Sequence, residues 1–114
     1  MKLRSSEEYK KLTPEAKAKI CNGCGPASAF IDLIPDTIYG MDISEACNIH
    51  DCDYHFGGSL EDKYNGDLRL LNNLLILINK GSFWLRWFRR RRALKYYEAV
   101  RCFGESAFWS GKND

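Results

Sequence analysis

The chain has 114 residues, 45% of them hydrophobic and 13% aromatic, and carries a formal net charge of +2. That length holds one domain with a real core but not two, so 1–114 reads as a single domain, and the composition excludes a disordered chain. The charge is too small to argue for a nucleic-acid partner by itself.

The opening stretch, "MKLRSSEEYKK", lacks the apolar segment of a signal peptide. The most apolar run, Leu68 to Ile78, is too short for a bilayer and is interrupted by Asn72 and Asn73. The expected setting is the cytoplasm, where the chain is synthesised, with export by another route left open. Five cysteines are an odd number, so at least one thiol stands outside any intrachain pair. That favours reduced thiols, one bridge or a metal site over a fully disulfide-stapled secreted domain.

Taken in order, Ser5 or Ser6 caps a short helix carrying Glu7, Glu8, Tyr9 and Leu12. Thr13-Pro14-Glu15 restarts helix, by the cap-then-proline rule, to about Ile20. In "CNGCGP", Cys21 to Pro26, two glycines and a proline stop any regular element. Ala27 to Tyr39 reads as irregular, with a turn at Pro35-Asp36, and Gly40 precedes a central helix. Asp42 followed by Glu45 marks a capping-box start, and Ile43, Ala46, Cys47, His50 and Tyr54 recur at helical spacing. Gly57-Gly58 ends that helix. Ser59 with Asp62 caps the next, which runs from Leu60 towards Asn79 and stops at Lys80-Gly81. Ser82 opens a last helix reaching about Cys102, and Gly104 to Asp114 is a tail with apolar anchors at Ala107, Phe108 and Trp109. No strand pair is expected. The fold class is all-α: three longer helices and a structured glycine loop.

Within "ACNIHDCDY", Ala46 to Tyr54, two chemically active groups stand side by side. His50 falls on the inward stripe, while Asp51, about 100° further round, faces a different partner. A lone inward histidine also fits a plain core position. In the following helix Tyr64, Asp67, Leu68, Leu71, Leu74, Leu75 and Ile78 form one stripe with a carboxylate inside it. A buried, unpaired carboxylate costs several kcal/mol or takes up a proton, so Asp67 needs partners. The short Gly57-Gly58 connection implies antiparallel packing, which offers the His50 imidazole and the Tyr54 hydroxyl. The alternative is that Asn65-Gly66 is a turn and Asp67 the N-cap of a helix beginning at Leu68.

Cys47-Asn48-Ile49-His50-Asp51 with Tyr54 resembles the active-site helix of the phospholipase A2 superfamily: cysteine, two residues, His-Asp, then tyrosine three residues on. "CNGCG" matches the two glycines of that family's calcium loop with Gly23 and Gly25, but has Asn22 where cysteine is usual. Asp67 falls where a second helix supplies the aspartate behind the histidine, in a spacing closer to the compact bacterial enzymes. The resemblance covers about Cys21 to Ile78. It implies a phospholipase A2-like fold: an antiparallel pair of core helices, a glycine-rich calcium loop and an additional C-terminal helix. It also implies calcium-dependent hydrolysis of the sn-2 ester of phospholipids. His50 is then the base, Asp67 its partner, Tyr54 a support, and the Gly23 amide a donor to the oxyanion. Calcium would take the Asp51 carboxylate and the carbonyls of Cys21, Gly23 and Gly25, the oxygen donors a hard cation prefers.

Family members bridge a loop cysteine to the position of Cys47, and here Cys21 and Cys24 flank Asn22 as the two candidates for that tie. The same cysteines admit another class of protein. Cys21-x-x-Cys24 with Cys47-x-x-His50 is a Cys3His zinc spacing, which would make the chain a zinc-stapled helical binding module. A catalytically inactive phospholipase A2-like domain is the third alternative.

The last helix begins "FWLRWFRRRR". Four consecutive arginines span a whole turn, so one must point towards the core unless this part projects beyond it. One reading is an amphipathic core helix with inward tryptophans and snorkelling arginines. The other is a membrane-docking surface, with Trp84 and Trp87 at headgroup depth and Arg89, Arg90, Arg91 and Arg92 on lipid phosphates. The expected partners are phospholipid and an anionic membrane surface; no nucleic acid is expected.

Overall fold

Ser6 and Thr13 each turn a side-chain oxygen onto an amide three residues ahead, Tyr9 and Ala16, at 3.1 Å in both cases. Each thereby starts a short helix, α1 (Glu7–Lys11) and α2 (Pro14–Ile20). The computed structural model describes residues 3–21 and 37–109. The expected structured glycine loop, the Pro35-Asp36 turn and most of the irregular stretch lie outside them.

Ahead of the central helix lies a hairpin of two-residue strands, β1 (Thr37–Ile38) and β2 (Met41–Asp42), with Thr37 opposite Asp42 and Ile38 opposite Met41. This corrects the expectation of no strand pair. Its turn residues, Tyr39 and Gly40, sit at φ 47° and 78°, and a Tyr-Gly pair lacks the asparagine or aspartate that usually announces such a turn. Apart from this ladder the described chain is helical, in agreement with an all-α class.

The central helix, α3 (Ser44–Phe56), starts differently from the capping box expected. The Asp42 carboxylate accepts from the Ser44 amide at 2.8 Å and from its hydroxyl, a local turn that uses up the short side chain before it can reach the helix. Glu45 is pulled away by the Tyr9 hydroxyl, which donates to it at 2.9 Å. Ile43, Ala46, Cys47, His50 and Tyr54 are all buried, as the spacing requires. Ile49 and Cys52 are buried on a second face, in a small cluster with Tyr9.

Helix α4 (Leu60–Lys80) has the capping box between Ser59 and Asp62. It runs unbroken through Asn65-Gly66, so Asp67 lies mid-helix and is not an N-cap. The glycine serves packing: a Cβ on Gly66 would stand 3.0 Å from the Asp53 Cβ, so its absence lets α3 come close. Contacts pair Tyr54 with Lys63, Asp53 with Gly66, and His50 with Asp67. As one index rises the other falls, so α3 and α4 are antiparallel. The inward face of α4 is rotated from the stripe read in the sequence. It comprises Lys63, Gly66, Asp67, Leu70, Asn73, Leu74 and Ile78, whereas Tyr64 and Leu68 are exposed.

A single 3₁₀ turn (Phe83–Leu85) leads into α5 (Arg86–Phe103), which returns antiparallel to α4. The Arg86 guanidinium donates to the Asn79 carbonyl at one end, and Lys63 to the Val100 carbonyl at the other. The main core joins Ile38, Ile43, Ala46 and Cys47 to Leu70, Leu74 and Ile78 of α4 and Ala93, Tyr96 and Val100 of α5. A short α6 (Glu105–Trp109) drops Phe108 edge-on against Tyr54, ring centroids 5.2 Å apart, closing the α3–α4 corner. Asn73 is wholly buried: its amide accepts from the Arg4 N–H at 2.7 Å and donates to the Arg4 carbonyl at 2.8 Å, tying down the N-terminal segment. No helix among the described residues is long and apolar enough to cross a membrane.

Candidate active site

Antiparallel packing of α3 on α4 brings His50 and Asp67 together. His50 Nε2 lies 2.8 Å from Asp67 Oδ1, and the Tyr54 hydroxyl donates to the same oxygen at 2.7 Å. The His50 and Tyr54 rings lie one helical turn apart along α3, with centroids at 4.2 Å. A carboxylate only accepts, so the neutral imidazole carries its proton on Nε2 and leaves Nδ1 with the lone pair of a base. Among the described residues no hydrogen bond engages Nδ1.

Asp67 is fully buried, and its second oxygen is taken by a group the sequence reading missed. Lys63 Nζ donates to Asp67 Oδ2 at 2.8 Å, to the Val100 carbonyl at 2.9 Å and to the Arg101 carbonyl at 3.5 Å. All three ammonium donors are thus placed, and only 1% of Lys63 is exposed. The available signal was the Lys63–Asp67 spacing of four on one helix face. Burial by itself would raise the Asp67 carboxyl; the hydrogen bonds from His50, Lys63 and Tyr54 outweigh it and hold the group below its ordinary value. The same burial, with the Asp67 charge alongside, pushes the Tyr54 phenol upward, so it stays a protonated donor. Beside the dyad, Arg69 Nη1 meets Asp53 Oδ1 at 2.7 Å and ties α4 to α3 again.

Asp51 is half-buried on α3 and has a partner of its own. Its carboxylate is near enough to Cys21, the C-cap of α2, to help burial raise that thiol to about 11. Two of the donors that the resemblance implies for calcium, Asp51 and Cys21, lie among the described residues. Asp51 supplies carboxylate oxygens, and it lies close to Cys21, whose carbonyl begins the glycine loop. Gly23 and Gly25, and with them the expected oxyanion donor, lie outside the described residues.

Cys47 is disulfide-bonded, whereas Cys21, Cys52 and Cys102 are free. Of the two thiols flanking Asn22, Cys21 therefore does not form the tie to Cys47, and Cys24 lies outside the described residues. The bond also removes the thiolate that a Cys21–Cys24–Cys47–His50 zinc site requires, while His50 Nε2 is committed to Asp67. Among the described residues no group of three or more His, Cys, Asp or Glu side chains is arranged to hold a metal ion.

On α5, Trp84 is 82% and Trp87 59% exposed. Arg90, Arg91 and Arg92 are exposed as well, but Arg89 is buried. Arg89 is the arginine that four in succession had to send inward, and it leaves the set expected to meet lipid. Its guanidinium donates to the carbonyls of Ile38 at 3.2 Å and Tyr39 at 2.8 Å, clamping the hairpin onto α5.

Comparison with family models, with curated proteins and with solved structures finds no match to this chain.

Proposed function

We propose that the chain is a calcium-dependent phospholipase A2-like hydrolase acting on the sn-2 ester of phospholipids. The observation that carries the reading is the buried His50 Nε2–Asp67 Oδ1 contact of 2.8 Å, reinforced by Tyr54, with the basic face of the imidazole left over.

His50 Nδ1 takes a proton from water as the water oxygen attacks the ester carbonyl carbon. Asp67 fixes the tautomer and stabilises the imidazolium that forms, and Tyr54 and Lys63 fix Asp67. The imidazolium then returns its proton to the departing glycerol oxygen as the C–O bond breaks, leaving a fatty acid and a lysophospholipid. The Gly23 amide is assigned to the developing oxyanion. Asp51, with the carbonyls of Cys21, Gly23 and Gly25, would hold calcium, which when bound adds positive charge for that oxyanion. An anionic membrane surface is the proposed docking partner, met by Trp84 and Trp87 with Arg90, Arg91 and Arg92, because exposed aromatic rings beside exposed cations complement anionic lipid.

The test is release of fatty acid from phosphatidylcholine labelled at the sn-2 position, with calcium added and then chelated. Release that requires calcium supports the proposal. No release by the folded chain with calcium present would leave the inactive phospholipase A2-like domain as the reading.

A further inference from the structure

Between the hairpin turn and the outer side of α5 lies a cleft of about 310 Å³, lined by Tyr39, Trp87, Phe88, Arg91, Arg92 and Lys95. None of these residues belongs to the His50–Asp67 dyad or to the donors assigned to calcium. The volume is at the lower end of small-ligand sites.

The cleft is held in place at some cost. Tyr39 sits at φ 47°, a left-handed conformation uncommon for a bulky residue and worth on the order of 1–3 kcal/mol of strain. The buried Arg89 guanidinium holds the turn there by its bonds to the Ile38 and Tyr39 carbonyls. Tyr39 thereby forms one wall, its ring 6.0 Å from Phe88 and 5.4 Å from the Arg92 guanidinium. Trp87 forms another, 5.0 Å from the Arg91 guanidinium. The Arg92 guanidinium is steadied by donating one N–H to the Tyr39 hydroxyl at 3.4 Å, and a guanidinium stacked on a ring keeps its remaining in-plane N–H groups for the oxygens of an anion. Lys95 adds a third cation, and no ion pair among the described residues involves Arg91, Arg92 or Lys95. Three cations gathered with no counter-charge paired to them among the described residues repel one another, and an anion in the cleft relieves that.

We propose that this cleft binds the phosphomonoester headgroup of an anionic lipid, so that docking selects for that group rather than for surface charge alone. A phosphomonoester offers three terminal oxygens and nearly two negative charges, matching three cations, whereas a phosphodiester headgroup offers less of both. The lipid source follows from exposed Trp87 in the lining of the cleft, with exposed Trp84 three residues before it in the chain, since tryptophans suit headgroup depth. This deepens the docking part of the proposed function and needs no hydrolysis, so the experiment runs with calcium chelated.

The experiment is co-sedimentation with two sets of phosphatidylcholine vesicles of matched surface potential, one containing phosphatidic acid and the other phosphatidylserine. The expected result is about tenfold tighter binding to phosphatidic acid. Arg90→Gln removes a charge outside the cleft, where Arg90 bonds the Asn79 side chain. It should weaken binding to both vesicles alike, by up to about fivefold, and keep their ratio. Arg92→Gln combined with Lys95→Gln should bring the ratio to about one. Tyr39→Asn removes the aromatic wall while giving the turn the residue it favours, so the ratio should fall with no loss of melting temperature. Glycerol 3-phosphate, as a soluble phosphomonoester, should displace the chain from phosphatidic acid and not from phosphatidylserine. Equal binding to the two vesicles overturns the headgroup site and leaves charge-driven docking standing. No binding to either overturns both. Tight binding of glycerol 3-phosphate with no vesicle binding overturns the lipid source, and tighter binding of a single-stranded oligonucleotide overturns lipid as the occupant.

Discussion

Lys63 and Asp67 form an ion pair of 2.8 Å in which both side chains are almost wholly buried, one turn apart on α4. The pair lies directly behind the proposed base, because the other oxygen of Asp67 holds His50. Removing one partner of such a pair strands the other charge in the core, which costs about 3–5 kcal/mol. Lys63→Met should therefore lower stability to urea by about that amount. Adding Asp67→Asn to it should cost less than the sum of the two single changes, with a coupling of about 0.5–3 kcal/mol. Additive losses in urea melts would show that the two charges do not depend on each other. Asp67→Asn should also reduce any turnover by on the order of 10²–10⁴, through loss of tautomer control and imidazolium stabilisation.

The same carboxylate makes stability depend on pH in a defined direction. Burial would raise Asp67, but the bonds from His50, Lys63 and Tyr54 win, so its folded value lies below the unfolded one of about 3.9. Below that unfolded value the unfolded chain binds a proton the folded chain resists. The contribution is thus fully present above about pH 5 and is lost as pH falls through about 4 towards the folded value. Urea midpoints measured between pH 7 and pH 3 should fall more steeply for the parent than for Asp67→Asn. Parallel curves would place the acid sensitivity elsewhere.

Asn73 was legible only as an interruption of an apolar run, yet it is a buried anchor. Its two bonds replace a backbone ladder for Arg4, the outer end of a segment 69 positions away. Asn73→Leu keeps the branching at Cγ but leaves the Arg4 peptide without its partners, at about 1–3 kcal/mol. The expected result is a lower urea midpoint together with faster amide exchange at Arg4. Unchanged exchange there would mean that the N-terminal segment is held by other contacts.

Much of the helical plan was readable because helix ends carry local signals. Thr13-Pro14, Ser59 with Asp62, and Gly57 all act on atoms within four residues, so sequence suffices to place them. The His50–Asp67 pairing was readable because a carboxylate inside an apolar stripe demands a partner. The reading failed where the deciding partner is distant in the chain. Asn65-Gly66 has the chemistry of a turn, but the approach of Asp53 turns it into a packing notch. The inward face of α4 rotated because a lysine can bury itself once a carboxylate and two carbonyls from α5 meet it. Which arginine turns inward depended on the carbonyls of a hairpin that no local signal announced.

The two roles proposed for adjacent residues of α3 can be separated by substitution. His50 is held at its Nε2 by Asp67 inside the helix pair, whereas Asp51 lies near Cys21, at the start of the glycine loop. Their directions differ by about 100° because a helix turns that far per residue. His50→Ala should abolish calcium-dependent fatty-acid release and leave calcium affinity within about twofold, since no donor to a hard cation is removed. Asp51→Asn exchanges a carboxylate for a neutral amide and should weaken calcium by at least about tenfold, or about 1.4 kcal/mol. Titration calorimetry of calcium into the parent and both variants reads this directly, and it does so whether or not the substrate has been chosen well. Parent-like calcium binding by Asp51→Asn would remove that residue from the donor set, and loss of calcium by His50→Ala would put the imidazole in the metal site instead of the base position.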